Sequence, residues 1–391
     1  MKFAARMSRL GTETAFEVLA KAKRLEAQGR DIVHLEIGQP DFPTPAHVVE
    51  AGCKAMRDGH TGYTPAPGLP EAREAIAEHV SKTLGIEATA DEVVVTPGAK
   101  PIMFFAFLAF VEEGDEVVYP DPGFPIYESM LDFVGAKRVP FVLQASDGFR
   151  LDVDRLERLI TDRTRLLILN SPGNPTGGMV RPDDLPRLAA ICRRHDVVVL
   201  SDEIYSRILF DGRHASIAAE DDMRERTIVL DGFSKTYAMT GWRLGYGVMP
   251  KAWATKFSQL QVNSTSCTAN FVQRAGIAAL RGPQDSVVSM VEEFRRRRDL
   301  IVSLLNDVPG FRCHKPGGSF YVFPDVRAAG LSSQELANRL LEEAGVACLS
   351  GTCFGSHGEG FLRFSFANSQ PNIREGIRRV RECVEGVAAR R

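Results

Sequence analysis

The sequence predicts an α/β fold, a mostly parallel sheet flanked by helices, with a smaller α+β domain built from both chain termini. Apolar, β-rich runs alternate with helical patterns through most of the length, which is how parallel strands joined by helical crossovers read. Several of those runs are apolar without a break, as strands covered on both faces must be. The chain is also large enough: 391 residues, 44% hydrophobic and 25% charged, can bury a sizeable core.

In chain order, residues 12–28 read as an amphipathic helix stopped by Gly29. Strand-like runs follow at 92–96, 116–119, 164–170, 197–201, 227–230 and 244–248. Helical patterns lie between them at 71–84, 101–112 and 185–195. From about Asp285 the alternation changes. A long helix is expected to about Leu305, then an apolar run at 320–323 and a helix near 333–343. Short strands at 346–349 and 360–366 and a last helix near 373–387 complete the chain. The expected division is a large domain at 46–284 and a small one made of 1–45 plus 285–391.

With 48 Lys and Arg against 50 Asp and Glu, the net charge of −2 gives no field favouring nucleic acid or an anionic membrane. The one dense basic run, Arg295 to Arg298, follows Glu292-Glu293 and reads as a solvated helix face with Glu–Arg pairs. Seven scattered cysteines without a C-x-x-C pair argue against a disulfide framework or zinc site and suit a reducing compartment. Residues 1–16 carry no secretory pattern, and the longest apolar run, 101–111, is too short to span a bilayer. The expectation is a cytoplasmic protein with no bound metal.

Ligands of open parallel sheets bind beyond the carboxyl ends of the strands. There the sequence places Pro97-Gly98-Ala99-Lys100 before a helix, a turn from Asn170 to Gly177 containing Asn174-Pro175, Asp202-Glu203-Ile204-Tyr205, and Phe233-Ser234-Lys235. Gly241-Trp242-Arg243-Leu244-Gly245 follows. Small residues at a helix start leave backbone N–H groups free to hold an anion. Each feature has an ordinary reading: a solvated loop lysine, a helix-capping aspartate, a simple turn, a surface arginine. Their combination and order carry the weight.

That combination resembles the class I/II aminotransferases of the aspartate-aminotransferase fold type, over nearly the whole chain. Gly38-Gln39-Pro40-Asp41-Phe42, Tyr63-Thr64-Pro65 and Arg363 belong to the same pattern. The segments are similar to the bacterial, aspartate-aminotransferase-like branch. The resemblance implies a transaminase using pyridoxal 5′-phosphate, with Lys235 as its Schiff-base lysine and proton shuttle. It implies that Asp202 faces the pyridine nitrogen and that Tyr205 and Asn174 meet the ring's 3′-oxygen. Gly98, Ala99, the Lys100 region, Ser234 and Arg243 are implied to hold the phosphate, joined by Tyr63 from a second subunit of a homodimer. Phe124 is implied to stack on the ring, unless it is a core aromatic. Arg363 is implied to fork onto the substrate α-carboxylate, and the Gly38 backbone to close over an L-amino acid donor or 2-oxo acid acceptor. Side-chain preference stays open, and the apolar stretch 102–111 suggests a neutral or aromatic donor. A β-eliminating lyase on the same scaffold and, distantly, a non-catalytic regulatory domain remain alternatives.

Overall fold

The computed structural model describes residues 2–388. Its strands are β1 Val33–His34, β2 Val93–Thr96, β3 Glu116–Asp121, β4 Lys137–Val142, β5 Thr164–Asn170 and β6 Val198–Asp202. They continue with β7 Thr227–Gly232, β8 Gly245–Val248, β9 Tyr321–Val322, β10 Val346–Ala347, β11 Leu349–Ser350 and β12 Leu362–Ser365. The main sheet has seven strands in the order β2-β8-β7-β6-β5-β3-β4. Only β8 runs against its neighbours, β2 and β7.

Alternate residues along a strand point to opposite faces, and both faces here are covered. Val94, Leu166 and Ile168 enter one core with the helices Lys100–Phe110, Ile126–Val134 and Lys251–Ser264. Val93 and Val95 enter another with Pro70–Leu84 and Asn270–Arg281, while Leu167 and Leu169 pack against Leu185–Arg194. The unbroken apolar runs are the result. β4 escaped the sequence reading because it is an edge strand, opening with the exposed Lys137 and Arg138 and interrupted by Pro140.

The chain ends meet away from this sheet. β1 pairs in parallel with β10, and β11, β12 and β9 form a second small antiparallel sheet. The helix Asp285–Asn306 packs on them through Phe294, Ile301 and Leu305, in one core with Val33, Leu35 and Ile373.

Two expectations are corrected. The basic run is not a solvated face: Arg297 and Arg298 are buried, and only Arg296 is largely exposed. Arg298 lies among the apolar positions of its helix, donating to Asp211, Asp299 and the Pro316 carbonyl. The stretch 102–111 also gives no basis for a substrate preference. Ile102, Phe105, Ala106 and Phe107 are core, and Phe104 and Leu108 face outward. Of that stretch only Met103 reaches the cavity described next.

Candidate active site

Strands β5, β6 and β7 are neighbours, so their carboxyl ends bring Asn170, Asp202 and the helix Phe233–Thr236 side by side. They open into a cavity of about 580 Å³, closed on the far side by residues 37–39, Tyr321 and Arg363.

Lys235 lines this cavity half-buried, and its Nζ donates to the Gly38 carbonyl at 2.5 Å. Burial is the main reason its pKa falls to about 8; the Arg363, Lys100 and Arg243 charges push the same way, and Glu13 opposes them. Asp202 ends β6 and is 5% exposed. Burial raises its pKa to about 6, against hydrogen bonds from Tyr127 Oη at 2.6 Å and the Ile204 N–H at 3.3 Å. A half-buried amine and a buried acid thus share one cavity.

Tyr205 lies buried with its hydroxyl 2.9 Å from that of Tyr321. Asn174 accepts from Arg363 Nη1 at 3.0 Å, and the second guanidinium nitrogen donates to the Glu36 carbonyl. The Arg363 guanidinium lies over the Tyr321 ring, 4.4 Å from its centroid, and its buried Nε has no partner. These contacts hold the planar fork against the cavity wall.

At the other end, Gly98 has φ 87° and no room for a side chain: a Cβ would lie 2.1 Å from Arg243 Nη2. Arg243 itself has φ 56°, a costly conformation for a non-glycine residue, and is tied to the Thr240 carbonyl at 2.9 Å. Ala99 and Ser234 line the cavity beside it, below the start of the helix Lys100–Phe110. Phe124 lines the wall, with Lys100 Nζ 5.4 Å from its ring centroid. The Lys100 ammonium is bound to the Glu13 carboxylate at 2.5 Å. Tyr63 stands apart, 91% exposed and outside this cavity.

Sequence reading missed Glu13, Tyr127 and Tyr321. Each acts across a large sequence separation, and no local pattern marks a residue for such a contact.

Among the described residues no group of three or more His, Cys, Asp and Glu is arranged to hold a metal ion, and no helix is long and apolar enough to cross a membrane.

Residues 30–380 match the family model of aminotransferases class I and II. The chain is 38% identical to a probable aspartate/prephenate aminotransferase of Aquifex aeolicus, over 98% of this chain and 99% of that one. It is 37% identical to an aspartate aminotransferase of Bacillus subtilis, with the same coverage. An aspartate aminotransferase of Thermus thermophilus, solved with maleate, superposes with a TM-score of 0.93 at 37% identity, over 98% of this chain and 100% of that chain. The chain therefore belongs to the class I and II aminotransferases, and it is a transaminase.

Proposed function

We propose that this transaminase moves an amino group between an L-amino acid and a 2-oxo acid using pyridoxal 5′-phosphate held covalently at Lys235. The observation that carries the reading is the half-buried Lys235 amine in one cavity with the buried Asp202 acid. Desolvation disfavours the charged form of each group where it stands.

The residues fit the cofactor. Among the described residues Asp202 makes no ion pair, only the more distant Lys235 charge favouring its ionised form, and a ring nitrogen bearing a proton would supply a direct partner. Backbone N–H groups of Gly98 and Ala99 at a helix N-terminus, the Ser234 hydroxyl and the Arg243 guanidinium suit a phosphate. The bound cofactor supplies an electron sink for the carbanion formed at the substrate α-carbon.

The chain's own residues do the rest. Lys235, its pKa lowered to about 8, holds a larger unprotonated fraction than an ordinary lysine and moves the proton at the α-carbon. Asp202 keeps the proton on the ring nitrogen. Tyr205 and Asn174 hydrogen-bond the ring's 3′-oxygen, and Phe124 stacks on the ring face. Arg363 forks onto the α-carboxylate, exchanging its present bonds for that ligand, while the Gly38 backbone closes over the substrate. Tyr63, too far from its own cavity, reaches the phosphate of a second subunit in a homodimer. In this reading 46–284 carries the cofactor, 1–45 with 285–391 forms the small domain, and the protein works in the cytoplasm.

Borohydride reduction of the cofactor-loaded protein, followed by proteolysis and mass spectrometry, tests the assignment. The cofactor mass should be found on the peptide carrying Lys235. Its absence, or its location on another lysine, would refute the site.

A further inference from the structure

The cavity is lined by the cations Lys100, Lys235, Arg243 and Arg363. The preceding reading, on which this inference rests, uses Lys235 for the cofactor, Arg243 for its phosphate and Arg363 for the α-carboxylate. The resemblance also lends the Lys100 region to the phosphate, but the Lys100 ammonium is paired with Glu13 instead, which leaves it as the lining cation to meet a second carboxylate on a donor's side chain. It is not free to do so, because Glu13 Oε2 lies 2.5 Å from its Nζ. Glu13 itself lines the cavity that holds Lys235 and Tyr321.

We propose that Glu13 is a specificity-determining residue: by holding Lys100 in an ion pair it makes the enzyme favour donors with neutral, apolar side chains over dicarboxylates. An entering carboxylate must displace Glu13 from Lys100 or settle beside a like charge. A neutral side chain meets neither obstacle. The cavity lining also includes the apolar Ala15 and Phe16 from the same N-terminal segment, with Ile37, Met103 and Phe124. The pair is half open to solvent, with side chains 50% and 22% exposed, so its grip is modest and one substitution can loosen it. Glu13 immediately precedes the helix Thr14–Ala27, so selection is exercised by the segment that forms the mouth.

The test is the ratio of kcat/KM for L-aspartate to that for L-phenylalanine in the cofactor-loaded protein and in Glu13→Gln. Wild type should favour phenylalanine. The substitution should raise the ratio by about tenfold. Adding Lys100→Met to Glu13→Gln should remove the gain. Calorimetric binding of succinate and 3-phenylpropionate gives the same comparison without turnover, and Glu13→Gln should tighten succinate selectively. A wild-type preference for aspartate, a ratio unchanged in Glu13→Gln, or a gain that survives loss of Lys100 would overturn the proposal. Those failures leave the transaminase reading intact. If no donor of either class transfers its amino group, the reading itself falls, and the two binding constants still decide whether Glu13 selects.

Discussion

The Lys235 ammonium is placed where charge is least welcome. Its pKa near 8 lies below the ordinary 10.5, so the unfolded chain binds more protons between those values. Stability therefore rises with pH through that window, and the cost of the buried charge is fully present below about pH 8. Replacing Lys235 by Met in the cofactor-free protein should stabilise it by about 3 kcal/mol at neutral pH. The gain should shrink as the pH rises above 8, as read by chemical denaturation; a pH-independent gain would contradict the assigned burial of charge. Asp202 has the opposite problem, and Tyr127 is its main support. Tyr127→Phe should raise the Asp202 pKa further, leave the carboxylate short of a donor, and cost about 1–3 kcal/mol. The Asp202 carboxyl resonance, followed by NMR against pH, checks the direction. The strand-end positions of Lys235 and Asp202 were legible from the alternating pattern, while their pairing in one site was expected from the combination of motifs and the family resemblance. Tyr127 was not, because its hydrogen bond spans 75 positions and its own helix reads simply as apolar.

Helix Asp285–Asn306 shows how element reading went astray. Four consecutive arginines suggest solvent, yet Phe294, Arg298, Ile301 and Leu305 follow the spacing of one buried stripe. Attention to charge outweighed attention to position. Arg298→Ala should lose a packed stem, orphan the Pro316 carbonyl and lower stability by about 2–4 kcal/mol. Arg296→Ala, at an exposed position two residues away, should stay within about 0.5 kcal/mol. Equal shifts of the denaturation midpoint would show that burial does not separate them. The apolar helix Lys100–Phe110 misled in the other direction. Its hydrophobicity belongs to the sheet beneath and the outer surface, and only its first turns face the cavity.

At the scale of the molecule, the parallel order of β5, β6 and β7 and the pairing of β1 with β10 do the functional assembly. The first gathers Asn170, Asp202 and Lys235; the second helps bring residues 37–39 and Arg363 from opposite ends of the chain to the same cavity. The alternating pattern made the main sheet readable. The two-residue strands of the small sheets were harder, since a pair that short carries no period and exists only by long-range pairing. Tyr63 belongs to this scale as well, being a large aromatic left almost fully exposed. Sedimentation should give twice the 43.0 kDa chain mass, and Tyr63→Phe should weaken cofactor binding about tenfold without dissociating the dimer. A monomer with full cofactor affinity would rule out the shared site.

The near-visible absorption spectrum of the cofactor-loaded protein tests the central claim most directly. The account predicts a band from cofactor bound at Lys235 that an L-amino acid discharges and a 2-oxo acid restores, and that Lys235→Ala abolishes. A protein that takes up no cofactor, or whose band survives Lys235→Ala and ignores every donor, would contradict it.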